Sequence, residues 1–168
     1  MKSLLQGRPE FGQIAFVHSL EADFDHKARL LGYNTPLSTE TKLQWSREQC
    51  AATAAACLVH FDFYWQGLQE MDQLYFVFVH LVDGQGQIVA QQDKAPGKRG
   101  KDPTTSWLPG EVVADPVDLN LKPDLPPDRY TLRLGMYLPP DGPRLPVLDQ
   151  AGQPNGDFVE LGTLEVRP

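Results

Sequence analysis

The chain has no apolar run near the roughly 20 residues that span a bilayer, and its opening stretch MKSLLQGRPEF is too short in apolar residues for a secretory signal. It is also short of positive charge: 15 Lys and Arg against 22 Asp and Glu give a net charge of −7. That balance argues against nucleic acid, whose phosphates are neutralised by clustered Lys and Arg. The basic cluster, Lys94–Lys101 (KAPGKRGK), is laced with Gly and Pro and reads as a solvated loop, with an anionic-ligand site as the alternative. No GxSxG elbow, HExxH or glycine-rich phosphate loop occurs, and Ser46 and Ser106 carry no paired histidine signal. No two acids are spaced as a recognisable glycosidase pair. The expectation is a non-catalytic chain without a cofactor.

Cysteine is scarce too. Cys50 and Cys57 bracket CAATAAAC, which is not the CxxC of zinc or redox motifs. Either the two close a small disulfide loop, which needs the chain to reverse and an oxidising compartment, or they are free thiols.

What is present is strand-like. The 168 residues, 41% hydrophobic and 22% charged, fit one folded domain spanning 1–168, with 1–27 as a less clearly patterned N-terminal segment. In Leu58–Trp65, Val59, Phe61, Phe63 and Trp65 share one face while His60, Asp62 and Tyr64 share the other. Tyr130–Leu138 repeats the alternation. Tyr75–Val82 is apolar on both faces, as in a covered strand, and DGQG at Asp83–Gly86 predicts a hairpin to Gln87–Gln92. Further strands are expected at Ile14–His18, Ala28–Tyr33, Lys42–Arg47, Glu111–Leu121, Arg144–Leu148 and Phe158–Val166. Leu20–Leu30 and Gln66–Gln73 have room for a helical turn, and CAATAAAC is too short to stand alone as a helix. About nine short strands with Pro-rich turns predict an all-β antiparallel sandwich, immunoglobulin-like or jelly-roll.

Several motifs occur in order: FYWQGL (Phe63–Leu68), Asp72–Asp93, PTTSWLPGEVVAD (Pro103–Asp115), LPPDRYTLRLGMY (Leu125–Tyr137), RLPV (Arg144–Val147) and LGTLEV (Leu161–Val166). Together with LLGYN (Leu30–Asn34) they resemble an uncharacterised β-sandwich domain. That domain lies at the C-terminal end of bacterial multi-pass membrane proteins of the dolichyl-phosphate-mannose-protein mannosyltransferase (glycosyltransferase family 39) type. The resemblance implies an accessory domain outside the cytoplasmic membrane, beside a lipid-linked sugar or its acceptor, with no catalytic residue to carry over. Taken literally and alone, the chain is cytoplasmic; the resemblance implies the extracytoplasmic side.

The candidate binding residues are Trp107, Tyr64, Tyr137, His80 and Asp93. Trp107, in the polar stretch TTSWLPG, is either an exposed platform for a sugar ring, extended by Tyr64 and Tyr137, or a lid packed over the sandwich edge. His80 is either a hydrogen-bonded strut, with Gln91 and Asp93 as partners, or a ligand or metal contact. A metal site can be drawn through His80, Asp93 and Asp115, but Asp102, Asp141, Asp149 and Asp157 are too scattered to complete an oxygen-rich shell, so none is assigned. Trp45 is undecided between core and surface. The function expected is carbohydrate or glycolipid recognition; the alternative is a structural domain that packs on a membrane glycosyltransferase or on its own copy.

Overall fold

The computed structural model describes residues 18–39 and 42–168, which form a two-sheet β-sandwich. The strands are β1 His18–Phe24, β2 Ala28–Asn34, β3 Ser38–Thr39, β4 Lys42–Ser46, β5 Leu58–Gly67, β6 Phe76–Val82, β7 Ile88–Lys94, β8 Val112–Asn120, β9 Arg129–Tyr137, β10 Val147–Leu148 and β11 Val159–Arg167. One sheet runs β10-β1-β2-β5-β8 and the other β3-β4-β11-β9-β6-β7. All pairings are antiparallel except that β11 runs parallel to β4, so the second sheet is mixed. Nine of these strands have five residues or more; β3 and β10 are two-residue pieces. Residues 14–17 of the expected first strand lie outside the described residues.

Alternation sets which side chains meet. On β5, Val59, Phe61, Phe63 and Trp65 are buried while His60, Asp62 and Tyr64 are partly exposed. On β9, Tyr130, Leu132, Leu134 and Met136 face them from the other sheet. Large rings fill the space between: Phe61 stacks on Phe63 at 5.6 Å and Phe24 meets Trp65 edge-on at 5.4 Å. At about 25 cal/mol per Å², each of these fully buried side chains contributes on the order of 1.5–3 kcal/mol.

Three local expectations are corrected. Leu20–Leu30 is no helix but the β1–β2 hairpin. Asp25 and His26 take φ 55° and 57° in its turn, Asp23 Oδ1 accepts from His26 N at 2.7 Å, and Ala22, Phe24, Ala28 and Leu30 point into the core. Strand-period burial overrides local propensity there. Gln66–Gln73 likewise continues β5 to Gly67 and then bends. Conversely, the CAATAAAC region does hold a helix, α1 Arg47–Ala52, followed by a 3-10 turn at Ala54–Cys57. Ser46 Oγ caps α1 by accepting from Gln49 N, and tertiary contacts supply what the short helix lacks. Trp45, now buried, donates Nε1–H to Ala56 O at 2.9 Å, and a Cys50–Cys57 disulfide with Cα atoms 4.5 Å apart ties the helix to the turn.

The hairpin turn after β6 forms as its residues dictate. Gly86 adopts φ 81°, and Asp83 Oδ1 accepts from Gln85 N and Gln87 N at 2.9 Å. The long Pro-rich segment between β9 and β11 folds back across the outer face of the second sheet. Gly135 on β9 makes this possible: a Cβ there would lie 2.3 Å from the Phe78 ring and 2.9 Å from the Asp157 carbonyl oxygen.

Candidate functional site

On the outer face of the second sheet, β6 and β9 place Phe78, His80, Arg133 and Tyr137, and β7 adds Asp93 opposite Phe78. The returning segment brings Gly142 and Arg144 over them. The result is a cleft of about 140 Å³ lined by Phe78, His80, Asp93, Tyr137, Gly142 and Arg144. Phe78 forms its floor. The Arg144 guanidinium lies 4.3 Å from the Phe78 ring centroid, and the His80 ring centroid lies 4.5 Å from it. Arg144 is held in turn by Asp157, with Nη1 to Oδ1 at 3.3 Å.

The protonation states differ across this cleft. Burial holds the His80 pKa below its ordinary value, with Arg144 and Arg133 adding to the effect and Asp93 opposing it. The ring is therefore neutral near pH 7 and offers one donor and one acceptor nitrogen. Burial, and then its hydrogen bond to Asp93 with the Asp93 and Asp141 charges, pushes the Tyr137 hydroxyl up to about 12. A carboxylate, a phenol, an imidazole and a guanidinium thus converge above an aromatic floor. Such a set accepts and donates hydrogen bonds at several angles, which suits the vicinal hydroxyls of a sugar.

Of the residues singled out from sequence, His80, Asp93 and Tyr137 come together in this cleft. Trp107 does not, and the platform reading is corrected: it is 2% exposed, donates Nε1–H to Asp102 O at 2.8 Å and packs its ring against Trp65. It is the lid over the sandwich edge, held there because Thr104 just before it is buried and bonded to Gln73 O and Tyr75 N. Tyr64 lies on the outer face of the other sheet, opposite Ala114 on β8, so no row of Trp107, Tyr64 and Tyr137 exists. For His80 the ring packs against Phe78 at a tilt of 42°, and Gln91, its neighbour across the ladder, is exposed.

Asp115 is separate from His80 and Asp93. It points into the core from β8, where Oδ1 accepts from Lys94 Nζ at 2.5 Å and from Gly97 N at 2.9 Å, and Oδ2 accepts from Trp65 Nε1 at 3.3 Å. Burial raises its pKa, against the pull of Lys94 and these hydrogen bonds. The metal site drawn through the three does not assemble, and among the described residues no group of three or more His, Cys, Asp or Glu is placed to hold an ion. Sequence reasoning missed Arg144 and Gly142. The signal available was an arginine in a Pro-rich return segment, RLPV, at the start of the strand expected at Arg144–Leu148.

The chain matches no family model and no curated protein. Two solved structures share its architecture. A Niemann-Pick type C2 protein from Japanese carpenter ant superposes with a TM-score of 0.50 at 10% identity, over 92% of this chain and 100% of that one. The C-terminal domain of wzt superposes with a TM-score of 0.52 at 13% identity, over 99% of this chain and 90% of that one. At such identities the likeness is one of fold: the chain is a β-sandwich of the kind these two proteins share.

Proposed function

We propose that the chain is a non-catalytic carbohydrate-recognition domain, and that the cleft between β6, β9 and the Arg144 segment holds the sugar. The observation that carries this is the convergence of His80, Asp93, Tyr137 and Arg144 on the Phe78 ring. The cleft is small beside the roughly 300–1,000 Å³ of larger ligand sites, which suits one sugar ring or the terminal residue of a glycan. Sequence resemblance to the glycosyltransferase-associated sandwich domain supports a setting in the bacterial cell envelope. The Cys50–Cys57 disulfide supports the extracytoplasmic side, where such bonds persist. No helix among the described residues is long and apolar enough to cross a membrane, so a membrane enzyme would be a partner of this region.

Glycan-array binding followed by calorimetry tests the reading. The expected result is binding of a defined glycan class by wild type, weakened at least tenfold by Asp93→Asn and by Arg144→Ala and unchanged in Tyr64→Phe. Wild type that binds no glycan, or variants that bind as wild type does, would overturn it. The alternative of a packing surface draws no support from the apolar area exposed among the described residues. There the large exposed hydrophobics, Leu58, Leu74 and Ile88, are scattered on separate segments.

A further inference from the structure

The basic stretch Lys94–Lys101 is more than a solvated loop. Pro96 and Gly97 are buried, and Gly97 (φ 89°) donates its N–H to the buried Asp115 carboxylate that also holds Lys94. Gly100 N donates to Gly97 O at 3.0 Å, Lys101 N to Lys98 O at 3.2 Å and Asp102 N to Pro96 O at 3.0 Å. No side chain fits at Gly97, since a Cβ would meet Asp102 at 2.6 Å. Within this turn Arg99 sits in the left-handed region at φ 57°, ψ 30°. A non-glycine residue stays there only when its surroundings over-determine the backbone, and such positions cluster at ligand sites.

The turn stands beside an open groove of about 540 Å³ lined by His60, Gln92, Lys94, Lys98, Arg99, Pro116 and Asp118. Three of its six polar side chains are already engaged. Lys94 is bound to Asp115, and His60 bridges Asp118 (Nδ1 to Oδ1, 2.8 Å) and Asp62 (Nε2 to Oδ1, 2.9 Å). Lys98 and Arg99 form no ion pair among the described residues. Two adjacent uncompensated cations, one a planar fork and one a point charge, thus face a cavity in a protein of net charge −7. That pair matches a phosphate, whose oxygens take both kinds of donor. The Asp118 carboxylate and the Gln92 amide on the other walls suit hydroxyl groups beside it.

We infer that the groove between β7 and the outer face of β5 and β8 is a second binding site, taking the phosphate of a phosphorylated, hydroxyl-rich ligand on Lys98 and Arg99. It lies on the other side of β7 from the Arg144 cleft, since Asp93 faces that cleft while Gln92 and Lys94 face this groove. The inference therefore stands whether or not the first cleft binds sugar.

Titration of the full chain by NMR and calorimetry tests it, with glucose 1-phosphate, inorganic phosphate, glucose and phosphatidate-containing vesicles as probes. Glucose 1-phosphate should shift resonances of residues 92–99 and 116–118, bind more tightly than inorganic phosphate, and weaken as salt is raised. Glucose should leave those resonances unmoved. Lys98→Ala/Arg99→Ala should weaken glucose 1-phosphate at least tenfold. Arg99→Gly, whose glycine suits the positive φ, should do so by a smaller factor with an unchanged or higher urea midpoint, which separates lost binding from lost folding. Wild type that fails to bind glucose 1-phosphate overturns the site, as does a double variant that binds like wild type. Equal binding of inorganic phosphate overturns the hydroxyl-rich carrier, and binding of vesicles alone overturns the soluble ligand in favour of a lipid surface.

Discussion

His60 and His80 sit on the outer faces of the two sheets and meet opposite surroundings. Around His60 the face is open: burial alone would lower its pKa, but hydrogen bonds to Asp118 and Asp62, with their charges, raise it. Around His80 the face is roofed by the segment that carries Arg144, and burial together with Arg144 and Arg133 lowers the pKa despite Asp93. One ring is held toward the cation and the other toward the neutral form. The same residue type on the same kind of strand thus acquires two chemistries, and what differs is whether a loop covers the face. The roof creates a desolvated cleft suited to neutral hydrogen bonding, while the open face keeps charges that attract charges.

The severest way to break this contrast is at the edge where the two sheets meet. Asp115→Ala removes the carboxylate that anchors Lys94, Gly97 and Trp65 Nε1, and should cost about 3–5 kcal/mol, the usual loss when one member of a buried pair goes. Urea unfolding will show it, and the Lys98–Arg99 turn should lose its order in NMR spectra before the Arg144 cleft does. Replacing both Cys50 and Cys57 by Ser should cost about 2.5 kcal/mol, from the loop-closure entropy of a short ring. Because that bond holds the cap at the end of β5, the loss should appear in stability and leave binding at the Arg144 cleft unchanged.

The next cut is aimed at the roof. Gly135→Ala drives a methyl group into the Phe78 ring and should cost about 1–3 kcal/mol as an overpacked site. It should also lift Phe78 from beneath Arg144 and weaken any ligand of that cleft, while the His60 groove binds as before. The smallest effect is in the pH dependence. The folded-state pKa of His60 lies above its ordinary 6.5, so its contribution is complete below that pH and is lost as pH rises through the higher folded value. For His80 the folded value lies below 6.5, so its contribution is complete above 6.5 and is lost as pH falls through the lower folded value. Urea midpoints measured between about pH 5 and 8 should therefore change slope in opposite directions in His60→Asn and His80→Asn. For the exposed His60 pairs the amplitude should stay within about 1 kcal/mol.

Much of this frame was legible beforehand because side-chain alternation and turn chemistry are local. LVHFDFYW could pack only as a half-buried strand, and DGQG only as a turn. Residues on one strand or its hairpin partner were placed correctly relative to each other, so His80 and Asp93 were seen as neighbours. Arg144 was not, because it arrives from a return segment whose path depends on Gly135 having no side chain. For Trp107 platform and lid stayed open for a related reason: its polar neighbours suggested exposure, but Thr104 turns inward and carries the indole to Trp65, which makes it the lid. Lys98 and Arg99 are exposed, as a solvated loop requires, but the anchoring of their turn was hidden because Asp115 lies on another strand.

Pro116 has a consequence beyond the groove it lines. It sits mid-way along β8, which is the open edge of its sheet, and it has no backbone N–H to offer. An incoming strand from another molecule that tried to extend the sheet would find a gap in the ladder there, with the Lys98–Arg99 turn standing beside it. The residue that shapes one wall of the groove therefore also interrupts the ladder along which another strand could extend the sheet at β8.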